Sequence, residues 1–431
     1  MTVCTILERP AKRHLPKEME VIIVGNGPSA LTMGYLLLGH QAFYSGGQPG
    51  VEPHPDPRLH SLLSEQPLSL EQDLEDIAQM DLSGSSRIVD PVARLLDSLA
   101  HPLSDVDPDQ PSRLGWMRTR KPINFAILGK GPIGGIWAQL ATSEMRALSH
   151  HSQLELPGFP FLLWRENQGT SESGWRPGRK EISQYYRDYA ETMGIARHCH
   201  EGVEVLRVRR TTGPFRYLVY GKKGSTKFRV RANHVVLATG SFTTPIPLQI
   251  SGSHIPGVFH ELDELLRHTQ PKRVLLVGTG LSAADALIRM QEKGIEVVHS
   301  FFLQYPRPSR QRHPLASCWK DDYPEYHRVY QLMKGVSCPG YEAFPDAHLE
   351  KLVPHSHQIQ ASFHFNGDRH DRLVDAVLVL IGRRPNLELM SSVSATLIPD
   401  PRVYAIGALA GSSFVRHILP TCLKAYRQIC N

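Results

Sequence analysis

The sequence predicts an α/β protein built on two doubly wound units of parallel sheet, the first carrying a mostly helical insertion. Three observations predict it. Six apolar runs end in glycine: "EVIIVGNG", "INFAILGKG", "HVVLATG", "RVLLVGTG", "AVLVLIG" and "VYAIG". Short Val-, Ile- and Leu-rich runs of this kind suit parallel strands buried on both faces. The strand–glycine–helix unit occurs twice, as "VIIVGNGPSALTMGYLLL" and "VLLVGTGLSAADALIRM". At 431 residues the chain is too long for one compact core, so two or three domains are expected.

The elements follow in chain order. Residues 1–18, "MTVCTILERPAKRHLPKE", lack the apolar core of a secretory signal and read as a flexible arm. In "GNGPSA", Gly25 allows a tight turn, Gly27 lets backbone approach a pyrophosphate, and Ala30 lets the helix pack on its strand. Pro28 and Ser29 open that helix, whose N-terminal N–H groups and partial positive charge suit phosphate. The pattern points to a Rossmann-like dinucleotide site. The alternative is a tight strand–helix turn without a ligand. Roughly twenty positions on, where an acid usually grips a ribose, "AFYSGGQPGV" holds none.

Residues 46–120 change texture, and helices are expected over Pro57–Glu65, Leu68–Gln79 and Pro91–Leu99. The second strand of the unit is therefore delayed to Ile123–Leu128. It ends at Gly129-Lys130, again without a carboxylate. Ribose contacts then fall to backbone, to water or to Lys130, which could instead meet a phosphate.

The second turn repeats the logic with Gly278, Gly280 and Ala283. Leu281 opens its helix and Ser282 is placed to donate to a phosphate. After "IEVVHSFF" no acid follows, but Arg307, Arg310 and Arg312 do. That balance favours a 2′-phosphate, hence NADPH over NADH, the alternative being a surface basic loop. Two such sites in one chain suggest electron transfer between FAD at the first and NADPH at the second. "YPEYHRVYQLMKG" predicts a helix.

Composition narrows the classes. A net charge of +6 and the short clusters "RPGRK" and "RVRR" read as solvated surface, so no nucleic-acid partner is expected. No apolar run reaches the length of a membrane span. The six cysteines, Cys4, Cys199, Cys318, Cys338, Cys422 and Cys430, contain no Cys-x-x-Cys. This argues against a zinc site and a redox disulfide, and makes cytosolic free thiols and a cytoplasmic location the expectation.

"GGIW", "EISQYYRDYA", "VVLATGSF", "GTGLSAADA", "YPEYH", "VLIG" and "AGSSFVRH" together resemble the oxidative stress-induced growth inhibitor family, which is related to class B flavin-containing monooxygenases. The resemblance runs from about Val21 to the last residue. It implies a domain for FAD and a domain for NADPH. It assigns Gly134, Gly135 and Trp137 to a segment passing close to the flavin, and Ala238, Thr239 and Gly240 to the crossover between domains. Gly407 falls in the late "YAIGALAG", where Ala408 stands in place of the usual aspartate. "GVFHELDEL" resembles a shortened monooxygenase fingerprint with His260 at its histidine. Phe301 and Phe302 stand where an arginine for the 2′-phosphate is often found.

The expected domains are an FAD-binding domain over 19–245, an NADPH-binding domain over 246–370 and a return segment over 371–431. The expected function is an FAD-dependent, NADPH-using monooxygenase that forms a C4a-hydroperoxyflavin and oxygenates a small nucleophilic or carbonyl substrate with O₂. An NADPH oxidase-like signalling flavoprotein and a non-catalytic regulator of growth or stress retaining the fold are the alternatives. No acid–base triad is evident; Asp321, Asp322 and His327 read as structural. Homo-oligomerisation is left open.

Overall fold

The computed structural model describes residues 15–65, 77–78, 90–140, 145–169, 174–303, 313–318, 320–387, 389 and 402–431. The chain forms two compact units, one from residues 1–241 and 385–431, the other from Phe242–Arg384.

The first unit is built on strand β1 (Glu18–Val24) and helix α1 (Pro28–Leu37). A two-stranded antiparallel ladder follows, β2 (His40–Tyr44) with β3 (Leu114–Arg118). It closes the ends of the insertion, and the mostly helical texture expected there gave no sign of it. Inside lie α2 (Pro57–Glu65) and α3 (Pro91–Ala100). Asp90 caps α3 by accepting from the Val92 and Ala93 N–H groups, and Pro91 fits the first turn, where no N–H is needed. The helix expected over Leu68–Gln79 lies outside the described residues, except for Ile77 and Ala78, which are helical.

The delayed strand is β4 (Phe125–Leu128), parallel to β1 in the register Val21–Phe125 to Val24–Leu128. After α4 (Ile136–Leu140), α5 (Phe161–Asn167) and α6 (Arg179–Thr192) come β5 (Cys199–His200), β6 (Val203–Arg210), β7 (Tyr217–Lys223) and β8 (Thr226–Leu237). The sheet order is β5-β4-β1-β8-β7-β6. The C-terminal strand Val403–Ala405 adds parallel to the second half of β8. Side chains alternate across this sheet as its pleat requires. Val21, Ile23, Phe125, Ile127 and Val236 enter one core with α1, α6 and the C-terminal helix Ile418–Cys430. Ile22, Val24, Ala126, Leu128, Val235 and Leu237 enter a second core on the opposite face.

Two devices fix the insertion and its surroundings. Arg416 reaches both carboxylate oxygens of Asp97 on α3 at 2.7 Å and Asp105 at 2.8 Å. Three buried tyrosines of α6 then hold the segment before α5. Tyr185 Oη donates to the Phe159 carbonyl (2.6 Å), Tyr186 to Leu154 (3.0 Å) and Tyr189 to Pro157 (3.1 Å).

The second unit carries a parallel sheet in the order Val258–Phe259, Ala376–Val379, Arg273–Val277, Glu296–Phe301, Tyr341–Pro345. Helices Leu281–Glu292 and Pro324–Met333, the second as expected from "YPEYHRVYQLMKG", accompany it. A three-stranded antiparallel sheet spans His348–His355, Gln358–Phe365 and Asp368–Val374. The return to the first unit begins at 385, not at 371. Ala376–Val379 sits between Val258–Phe259 and Arg273–Val277, an internal strand of the second sheet, so residues up to Arg384 belong there.

Candidate functional site

Four fully or nearly buried apolar residues, Val21–Val24, deliver the chain to the first turn. Gly25 leaves at φ +109°, and a side chain there would collide with the Ala238 carbonyl. Ala238 in turn donates its N–H to the Val24 carbonyl at 2.8 Å. Gly27 then caps α1 in extended backbone, with no side chain closing the first turn and no acid in it. A Cβ on Gly27 would meet nothing nearer than Gly135 Cα at 4.0 Å. Uncapped N–H groups facing open space at a helix start are what a pyrophosphate requires.

The "GGIW" segment is drawn against this turn. Gly134 N–H donates to the Asn26 carbonyl at 3.0 Å. Gly135 lies so close that a Cβ would come within 2.9 Å of Gly27 Cα. Trp137 is half-buried, its ring 6.5 Å from that of Tyr186. Gly407 packs directly on Ser29. Its N–H is taken by Thr421 Oγ1 at 3.0 Å, so this backbone donor is used within the chain. The fold thus gathers Gly25, Gly27, Pro28, Ser29, Ala30, Gly134, Gly135, Ala238 and Gly407 around one helix start. Thr239 and Gly240 follow directly, just before the unit ends at Ser241.

At the tip of β4, where the ribose acid is missing, the space beside Gly129 is filled by Asn26. This buried side chain donates from Nδ2 to the Gly131 carbonyl at 2.6 Å. Lys130 points elsewhere: its ammonium pairs with Glu204 at 2.8 Å on an exposed surface, and Lys222 joins the same carboxylate at 3.0 Å. The two ammoniums hold the Glu204 carboxyl below its usual range, against the small opposing effect of burial. Asn26 and Thr421 were not anticipated. For Asn26 the signal was present, an amide between two glycines of a turn; for Thr421 no local signal exists.

In the second unit Gly278 lies against the Leu380 carbonyl, 2.5 Å from where its Cβ would be. Gly280 caps the helix Leu281–Glu292 without a side-chain partner, and a Cβ there would meet no atom within 4 Å. Ala283 is fully buried and Ser282 is exposed at the helix start. Thr279 Oγ1 accepts from the Phe302 N–H at 3.0 Å. Beneath the turn, His299 donates from Nε2 to the Gly278 carbonyl (2.8 Å) and its Nδ1 accepts from Tyr341 Oη (3.0 Å). Arg307, Arg310 and Arg312 lie outside the described residues.

Burial lowers the pKa of His299, and also that of His101 in the first unit, to about 4. Each stays neutral in the folded state while the unfolded side chain takes a proton near pH 6.5. Their contribution is whole above that value and is lost as pH falls towards 4. We expect each to remove about 2 kcal/mol by pH 4.5. Urea titrations at pH 7 and 4.5 check this, and His299→Gln should flatten the fall.

The family model described as pyridine nucleotide-disulphide oxidoreductase matches residues 114–398. Oxidative stress-induced growth inhibitor 1 of Mus musculus is 32% identical, over 94% of either chain. The chain belongs to the oxidative stress-induced growth inhibitor family. Human growth inhibitor 2 of this family is 30% identical, covering 92% of this chain and 90% of its own. Among solved structures, the fold of this growth inhibitor relative is similar to that of an ornithine hydroxylase of Pseudomonas aeruginosa, with TM-score 0.61, 15% identity and coverage of 96% and 100%. It is also similar to a bacillithiol disulfide reductase of Bacillus cereus, with TM-score 0.59, 15% identity and coverage of 96% and 98%. The growth inhibitor fold is therefore that of flavoprotein oxidoreductases with two dinucleotide-binding domains. Among the described residues, no helix is long and apolar enough to cross a membrane.

Gly25 and Gly27 separate folding from binding. Gly25→Val is expected to yield insoluble or unfolded protein, because it forces a side chain into the Ala238 carbonyl. Gly27→Asp is expected to fold, with a melting temperature near that of the native chain. Soluble, folded Gly25→Val would refute the steric reading.

Proposed function

We propose that this chain is an FAD-dependent, NADPH-using monooxygenase acting on a small nucleophilic or carbonyl substrate. One observation carries the reading: both glycine turns end in helix starts that are uncapped and open, at Gly27 and Gly280. A chain keeping the fold only as a scaffold has no need of two unobstructed phosphate cradles.

Gly25, Gly27, Ser29 and the first turn of α1 would hold the FAD pyrophosphate. Gly134, Gly135 and Trp137, together with the Ala238–Gly240 segment, would flank it. Gly278, Gly280, Leu281, Ser282 and Ala283 would hold NADPH. FAD, when bound, supplies hydride acceptance from nicotinamide and reactivity with O₂. The residues of this chain orient the cofactors and exclude water, so no acid–base triad is required. The solved structures of similar fold include hydroxylases and a disulfide reductase. Cys199, Cys318 and Cys422 are buried, and the sequence has no Cys-x-x-Cys, which favours the former chemistry.

The test is flavin extraction from purified protein, then anaerobic reduction by NADPH and re-exposure to air. The native protein is expected to be yellow and to be reduced; Gly27→Asp is expected to be folded and colourless. A folded native protein that takes up no FAD would overturn the proposal. Peroxide released in full proportion to NADPH with every candidate substrate would replace oxygenation by an oxidase function.

A further inference from the structure

The first unit contains a second concave site that shares no residue with the glycine turn. A small pocket lies between α1, the end of α3, β3, the segment 155–160 and the start of the C-terminal helix. Its walls are largely apolar and include Leu114, Trp116, Leu156, Phe159 and Leu419.

Three polar groups interrupt these walls. Thr32 on α1 is fully buried, yet its hydroxyl has no hydrogen-bond partner. His101 is nine-tenths buried with Nδ1 unpartnered, while its ring is held by the Ser152 backbone. Orphaned buried groups are rare in folded proteins, and each calls for a partner that the chain does not supply. Glu155 is the third. Its Oε2 accepts the Phe161 N–H at 2.9 Å, and no cation among the described residues pairs with it. Burial raises its pKa to about 7, with the Phe161 N–H opposing.

Charge selects the class of ligand. Arg416 also lines the pocket, but Asp97 and Asp105 already neutralise it. The site therefore has no free positive charge for an anion. It has a lone carboxyl, an imidazole lone pair and a hydroxyl oxygen, all able to accept, beside an aromatic wall that suits a cation. We propose that this pocket binds a primary amine with a small apolar body, its ammonium donating to Glu155, Thr32 and His101. An ammonium offers three donors and the complementary charge; an alcohol offers one donor and none. The tyrosine hydroxyls on Leu154, Pro157 and Phe159 keep the 155–160 wall in place, so little ordering is needed on binding. The proposal does not rest on cofactor binding.

The test is calorimetric titration of the full chain with 2-phenylethylamine and n-hexylamine, against 2-phenylethanol and n-hexanol. Amine binding at least tenfold tighter than that of the matching alcohol is expected. Glu155→Gln should weaken the amines at least tenfold. The isosteric Thr32→Val should weaken them about threefold while raising the melting temperature, because the orphaned hydroxyl is gone. Should Glu155→Gln fail to fold, Thr32→Val decides. No heat with either amine, alcohols binding equally, or unchanged affinity in Thr32→Val would overturn the proposal. FAD content, measured on the same samples, is expected to stay at the native level in Thr32→Val, so a failed amine site and a failed flavin site are told apart.

Discussion

Gly280→Asp is expected to slow reduction of bound flavin by NADPH at least a hundredfold while leaving the flavin in place. The added side chain has room, since a Cβ at residue 280 would touch no atom within 4 Å. Folding is therefore spared. What changes is charge: a carboxylate enters the mouth of an uncapped helix start, where it takes the N–H groups and repels the phosphates of the incoming nucleotide. A hundredfold loss corresponds to about 3 kcal/mol, the scale of one misplaced charge in a poorly solvated site. The neighbouring substitution Gly278→Val behaves differently, because the Leu380 carbonyl stands 2.5 Å from the new Cβ, and it should lower the melting temperature instead. Anaerobic stopped-flow reduction, with flavin content and melting measured in parallel, distinguishes the two. Native-rate reduction in Gly280→Asp would place the nicotinamide nucleotide elsewhere.

Asp97→Ala is expected to cost about 3–5 kcal/mol of stability. Asp97 is 2% exposed and accepts from Nε and Nη2 of Arg416, whose side chain is 11% exposed. Removing the carboxylate leaves a buried cation whose remaining carboxylate partner among the described residues is Asp105, an exposed one, at 2.8 Å. Asp105→Ala removes that weaker contact and should cost under about 1 kcal/mol. The ratio between these variants in urea titration is the measurement. Equal, small effects would mean that Arg416 reaches water once Asp97 is gone.

What was legible in the sequence was what short-range sterics enforce. A buried strand that must turn at once into a helix needs Gly25 and Gly278, and a run such as "FAIL" has nowhere to be but inside. What was not legible depends on partners far along the chain. Asn26 replaces an absent acid only because β4 brings Gly129 beside it, and Gly407 loses its free N–H only because the first turn of the C-terminal helix brings Thr421 back to it. The ladder of β2 with β3 joins segments separated by the whole insertion, so neither carries a hairpin signal. The boundary at 384 was misjudged at 370 because Ala376–Val379 reads as a buried strand of either sheet; only pairing decides which.

The order of synthesis has a consequence for this architecture. Residues 242–384 are one uninterrupted stretch, so their unit can mature while the ribosome is still translating. The surrounding unit cannot. Until residues 403–430 have been made, Val235–Leu237 lacks its neighbour Val403–Ala405, α1 lacks the helix that covers its flank, and Asp97 has no counter-ion. A nonsense mutation upstream of Arg416 would therefore release a nascent chain with a finished interior module and an unfinished host, a ready substrate for chaperones and proteases.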